Sequence, residues 1–254
     1  MKIAPLLVLF LATACASRAD VRPEPKWMKE KGRIDVQVEL AQLFLENQQA
    51  EQALPILAAL RTKGVDTSQV LTLQGLALQQ QGVTSEAEAL FLQATERDAR
   101  NAAPHKALGI LYADTRQLDK AVTSLQEAIA LRPNDAAVWN NLGFVYLGQG
   151  NYAQATQALQ RAVKLDGSNP RYRNNLGFAL SMQAQPTQAL SAFESASNAA
   201  GGHANLGLAL ELSGDKTGAA DAYRAVLAIE PGDQKAQRAL KRLQPEQEAD
   251  HDAP

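Results

Sequence analysis

Apolar positions along the chain fall into two regimes. Residues Ile3–Ala14 form an apolar run of twelve behind Met1-Lys2, and from residue 34 onward the pattern repeats with a period of 34. Aligning Trp139-Asn140-Asn141-Leu142-Gly143 with Arg173-Asn174-Asn175-Leu176-Gly177 sets the register. Stepping back finds His105-Lys106-Ala107-Leu108-Gly109, Leu71-Thr72-Leu73-Gln74-Gly75 and Gln37-Val38-Glu39-Leu40-Ala41. Stepping forward finds His203-Ala204-Asn205-Leu206-Gly207 after a shortened interval of 30. The boundaries are then 34–67, 68–101, 102–135, 136–169, 170–199 and 200–233, followed by an amphipathic stretch from Gln234 to Leu243.

The eighth place of each unit reads Ala41, Gly75, Gly109, Gly143, Gly177 and Gly207, and the twentieth reads Ala53, Ala87, Ala121, Ala155, Ala189 and Ala219. Glycine inside a helix costs about 1 kcal/mol relative to alanine, so these are places where paired helices touch. Phe44, Leu78, Tyr112, Tyr146, Leu180 and Leu210 close the first helix of each pair, and Leu57, Phe91, Leu125, Leu159, Phe193 and Tyr223 lie along the second. Pro133 and Pro231 stop second helices, because proline cannot continue the hydrogen-bond ladder. Around Ser195–Gly202 the fifth unit is four residues short, where a tightened junction is expected, with Gly201 and Gly202 in a short loop or a hinge.

This pattern resembles the tetratricopeptide repeat, whose unit is two antiparallel helices. The resemblance implies an all-α, right-handed superhelical solenoid of six repeats over 34–233, with 234–243 as the capping helix that shields the open end. Composition agrees: 46% of residues are hydrophobic but only 5% aromatic, poor in what sheets favour. A formal charge of −2 disfavours a general polyanion-binding surface.

The run at residues 3–14 is shorter than the roughly 20 residues a membrane helix needs. With a positive start and small residues before a break, it reads as a secretory signal peptide over residues 1–14. Leu11-Ala12-Thr13-Ala14-Cys15 resembles the bacterial lipobox, although Leu stands one place earlier than usual. That resemblance implies that Cys15, the single cysteine, is acylated and becomes the mature N-terminus; the alternative is an ordinary signal peptide cleaved nearby, with Cys15 discarded. Ala16 rather than Asp after it favours the outer membrane, with the protein facing the periplasm. Residues 15–33 read as the acylated cysteine and a tether, and 244–254 as a disordered acidic tail.

The repeat resemblance places positions 2, 5, 9, 12 and 13 on the concave wall. Phe144, Leu147, Phe178, Met182, Leu208 and Leu212 then form an apolar stripe there, a candidate groove for a protein partner; a tighter coil would bury them instead. Asn140, Asn141, Asn174, Asn175 and Asn205 form a polar rung beside it. Their amides either pair with peptide groups of an extended chain or tie neighbouring helices together. The basic carboxylate clamp of chaperone-binding relatives is not reproduced, since only Lys106 and Arg171 approach it. No phosphate loop, His-Glu-x-x-His or Gly-x-Ser-x-Gly occurs, so catalysis, a cofactor, a small-molecule substrate and nucleic acid are not expected. His105 and His203 occupy packing positions, and Asp250-His251-Asp252 reads as solvated tail and not a metal site.

Lipobox cysteine, tether, six repeats, cap and tail together resemble the PilF/PilW/Tgl class of type IV pilus pilotins. Lys31-Gly32-Arg33 and Glu51-Gln52-Ala53 are similar to that class as well. The resemblance implies a non-enzymatic scaffold that helps a pilus secretin reach the outer membrane and multimerise. The alternative is a repeat lipoprotein of tight-adherence (Flp) pilus assembly or of exopolysaccharide export.

Overall fold

The computed structural model describes residues 26–243; the apolar run, Cys15 and residues 244–254 lie outside the described residues. Within them the chain forms thirteen α-helices and no strand: α1 (Lys26–Glu46), α2 (Ala50–Thr62), α3 (Ser68–Gln80), α4 (Thr84–Arg97), α5 (Ala102–Asp114), α6 (Leu118–Leu131), α7 (Ala136–Gly148), α8 (Tyr152–Leu165), α9 (Pro170–Met182), α10 (Pro186–Ala196), α11 (Ala199–Ser213), α12 (Lys216–Ile229) and α13 (Gln234–Leu243). Odd and even helices pair into six hairpins, each packed on the next, and α13 closes the last.

The same local devices recur at the period of the sequence. The side chains of Thr67, Asn101, Asp135, Asn169 and Asn198 cap α3, α5, α7, α9 and α11 by accepting a bond from a first-turn N–H, which satisfies donors the helix leaves unpaired. Fifteenth in each unit, between the two helices, stands a residue with positive φ: Gln48, Gly82, Arg116, Gly150, Ala184 and Gly214. Three are glycine, for which this conformation is free; the others carry the side-chain strain of a left-handed turn.

The small residue at the eighth place makes room for a large one on the partner helix. A Cβ added at Gly75, Gly109, Gly143 or Gly177 would come within 2.5 Å of Phe91, Leu125, Leu159 or Phe193 in turn, and at Gly207 within 2.7 Å of Tyr223. Phe91, Leu125, Leu159 and Phe193 are fully buried, as are all six alanines at the twentieth place. Each hairpin therefore locks through one small-against-large contact, and the hairpins merge into a core running the length of the described chain.

Two expectations need correction. Helix α1 begins at Lys26, so residues 26–33 are helical and only the segment before them can serve as a tether. Lys26 directly follows Pro25, and Trp27-Met28-Lys29-Glu30-Lys31 are residues a helix tolerates well. Gly201 and Gly202 likewise lie inside the first turn of α11, not in a loop or hinge. Asn198 caps them by accepting from Gly201 N–H at 2.7 Å. A Cβ at Gly202 would stand 3.0 Å from the backbone N of Glu194, so that glycine permits a close approach of α11 to α10. The four missing residues shorten α10 to 11 residues.

Candidate functional site

The curvature of the solenoid defines its inner wall. Consecutive first helices pack on one another, α1 on α3 and so on to α9 on α11, while the second helices form no such series. The first helices are thus the crowded, concave side. In repeats three to five a cavity of about 400 Å³ opens on this side, lined among others by Ile110, Asn141, Phe144, Arg171 and Asn174.

The six apolar groove residues do not behave alike. Phe144 is 60% exposed, Leu208 44% and Leu212 67%, an unusual exposure for side chains whose burial contributes roughly 1.5–3 kcal/mol each. Leu147, Phe178 and Met182 are only half-exposed. Leu147 packs on the central core. Phe178 meets Phe193 with ring centroids 5.2 Å apart and planes at 80°, an edge-to-face geometry that aromatic quadrupoles favour. The stripe is therefore divided, with Phe144, Leu208 and Leu212 offered to solvent and Phe178 belonging partly to the core.

The asparagines do tie neighbouring helices. Asn175 Nδ2 donates to Asn140 Oδ1 at 2.8 Å, and Asn205 Nδ2 donates to Asn174 Oδ1 at 3.1 Å. Asn140 is buried and also donates to Asn141 Oδ1 at 3.5 Å. Each cross-repeat bond uses one of the donor amide's two hydrogens, so both side chains of a pair keep spare donor or acceptor capacity. Asn141, Asn174 and Asn175, half-exposed, line the cavity with that capacity. Of the two basic residues on this wall, Lys106 is paired with Asp135 at 3.3 Å, while Arg171 is exposed and faces the cavity.

Sequence reasoning missed a second, larger cavity of about 1020 Å³ on repeats one to three, lined by Gln42, Thr72, Gln80, Asn101, Arg132 and others. Its rim holds Asp66, bridged by Arg61 at 3.2 Å and Arg97 at 2.6 Å. The ninth and twelfth places there read Gln42 and Leu76, and Leu45 and Gln79, so polar and apolar side chains share this end of the inner wall.

The perturbed ionisable groups are structural. Burial pushes the Tyr112 hydroxyl up from 10.0 to about 12, helped by the bond it donates to Glu88 at 2.8 Å. Burial raises Tyr223 too, and it donates to Glu211 at 2.7 Å. Burial alone would raise Glu211, but the bonds from Tyr223 and Arg242 outweigh it and hold the carboxyl below its ordinary value. His105 and His203 are half-buried on α5 and α11, and His203 Nδ1 has no hydrogen-bond partner. Among the described residues no group of three His, Cys, Asp or Glu could hold a metal, and no helix is long and apolar enough to cross a membrane. Cys15 and His251 lie outside the described residues.

Six helical hairpins with a concave wall of first helices define a repeat solenoid that presents a groove. Family profiles for the tetratricopeptide repeat match residues 38–104, 112–150, 134–201 and 179–234, and the chain is a tetratricopeptide-repeat protein. No curated protein sequence matches it. Among solved structures it is similar to Pseudomonas aeruginosa PilF, with 19% identity and a TM-score of 0.67 over 84% of this chain and 99% of that one. It is also similar to YrrB, a repeat protein with an unusual peptide-binding site, with 20% identity and a TM-score of 0.58 over 72% and 96% of the two chains. MamA from Desulfovibrio magneticus RS-1 aligns with 23% identity and a TM-score of 0.56 over 64% and 92%. At these identities the likeness is one of fold.

Proposed function

We propose that the protein is a pilotin-type scaffold: an outer-membrane lipoprotein, anchored through Cys15 and facing the periplasm, whose groove binds a pilus secretin subunit. The observation that carries the binding role is the exposure of Phe144, Leu208 and Leu212 on first helices, with Phe144 lining one cavity together with Asn141, Asn174 and Asn175. Exposed apolar groups next to amide donors and acceptors suit an extended peptide with apolar side chains. Similarity to PilF over nearly its whole length and the resemblance of Leu11–Cys15 to a lipobox support the particular role. YrrB, a repeat protein with its own peptide-binding site, supports the general one.

The test separates anchor from groove. Cys15→Ser should release the protein from the outer membrane or leave its precursor uncleaved; unchanged fractionation and mature mass would refute the anchor. Phe144→Ala/Leu208→Ala/Leu212→Ala should stay folded and anchored yet bind the secretin peptide at least roughly thirtyfold more weakly, since an interface anchor commonly contributes about 2 kcal/mol or more. Secretin multimers that form as before in that variant would place the binding site elsewhere.

A further inference from the structure

A solenoid exposes at each end the surface that every interior repeat buries, and terminal repeats ordinarily make that surface polar. At the third, seventh and tenth places of the interior repeats, Val70 and Val138, Leu108 and Leu142, and Leu111 and Val145 are buried. The same three places in the first repeat hold Val36, Leu40 and Leu43, which are 62%, 40% and 53% exposed. At about 100° per residue these three side chains share one stripe of α1. Val38, Ala41 and Leu45, buried on the side of α2 and α3, lie nearly opposite. Helix α1 is therefore apolar on two faces, as an interior helix is, with one face that has no partner among the described residues. It also runs 21 residues, roughly 31 Å, against 13 for α3, so its first two turns overhang the repeat. A Cβ on Gly32, one turn before Val36 along the stripe, would meet nothing within 4 Å.

We propose that this face is a self-association surface, on which α1 of a second copy packs antiparallel about a two-fold axis. The charge pattern of the helix selects that occupant. Its first half carries Lys26, Lys29, Lys31 and Arg33 against a single Glu30, and its second half carries Asp35, Glu39 and Glu46 with no basic residue. An antiparallel pair sets the basic half of each copy beside the acidic half of the other, whereas a parallel pair sets like against like. With Val36 opposite Leu40 of the second copy, Gly32 faces the region of Leu43 and lets the helices approach closely. The shape of the site also favours a helix, because in every interior repeat a helix covers the equivalent face. Head-to-tail stacking is disfavoured by the other end of the molecule, where α13 turns Lys235, Arg238, Lys241 and Arg242 to solvent. A strip roughly 31 Å long and about one helix wide falls at the low end of specific interface sizes, so the dimer is concentration-dependent.

The test uses the full chain. With the photo-cross-linker p-benzoylphenylalanine in place of Leu40, irradiation should give an adduct of twice the chain mass, with mass spectrometry joining α1 to α1. Adducts to lipid, to another protein, to α13 or to residues 1–25 of the same chain would each overturn the proposal, as would no adduct. In parallel, Leu40→Glu/Leu43→Glu should keep its helix content and dimerise at least roughly thirtyfold more weakly. Charge reversal tests the orientation: Lys31→Glu/Arg33→Glu and Asp35→Lys/Glu39→Lys should each self-associate more weakly than the parent, whereas a parallel pair, already setting like against like, would not weaken, and mixing the two should restore dimers. Failure of the mixture to pair would exclude the antiparallel arrangement.

Discussion

At the C-terminal end, α13 buries Ala236 and Ala239 against the last repeat, and Arg242 reaches Glu211 at 2.8 Å. At the N-terminal end, Val36, Leu40 and Leu43 stand open on a helix that overruns its own repeat. Among the described residues both ends face the same physical problem, an interior-type surface with no further repeat over it. One is solved within the chain, by a short helix with small apolar residues inward and cations outward. The other is left apolar. In a solenoid, where stability is close to a sum over repeats and their interfaces, the two ends should respond to equivalent damage very differently.

The largest effect marks the baseline between them. Gly143→Leu forces a branched side chain into the space of Leu159, where a Cβ alone would stand 2.5 Å from its Cγ. Overpacking at that position should cost about 3 kcal/mol or more, read as a lower midpoint in urea denaturation. Gly32→Leu, inside α1 at the open end where an added Cβ meets nothing within 4 Å, should not destabilise and should gain up to about 1 kcal/mol from helix propensity.

A carboxylate placed at each end tests the contrast directly. Ala239→Asp puts a charge into the buried seam under α13 and should cost about 2–3 kcal/mol, detaching the cap. Leu43→Asp should cost no more than about 0.5 kcal/mol, measured at dilution where the chain is monomeric. Equal losses would show that the N-terminal face is covered in the free protein.

A smaller difference is expected along the inner wall. Phe178→Ala breaks the contact with Phe193 and should cost about 1–2 kcal/mol, less than the 3–5 of a fully buried phenylalanine. Phe144→Ala should leave the melting temperature nearly unchanged. If the two variants melt together, the division of the groove into core and free residues is wrong.

The smallest effect is acidic and belongs to the capped end. Glu211 is held below its ordinary value of 4.5 when folded, so its contribution is present above the unfolded value and is lost as pH falls through the lower folded one. Arg242 in that pair is largely exposed, so solvent screens it and the effect on overall stability is small. Hydrogen exchange at falling pH should show α13 loosening before α1 and α2, and Arg242→Ala should remove that order.

The repeats were legible because their determinants are local and periodic: a small residue stands sixteen places before a large one in every unit. The overhang of α1 was not, since Trp27 to Arg33 lack the spacing of a buried face and only the absence of a helix breaker other than Gly32 favours a helix there. Nor could the repeat register alone separate Phe144 from Phe178. Both are ninth in their units, but the residue across the hairpin is Leu159 in one and Phe193 in the other. An aromatic ring there reaches the inner wall and holds Phe178 down. The asparagines show the same limit, because a bond from the sixth place of one repeat to the fifth of the repeat before it depends on the stacking of hairpins.

Those cross-repeat amide bonds, Asn175 to Asn140 and Asn205 to Asn174, have a mechanical consequence. They behave as rungs set across the inside of a spring, each one holding the distance between two coils. A guest chain that takes an amide proton for itself must either fit the existing pitch or break a rung and let the coil relax. On the proposed groove function, the pitch of the superhelix and its choice of guest would be linked through these bonds, and stretching the molecule should change what it holds.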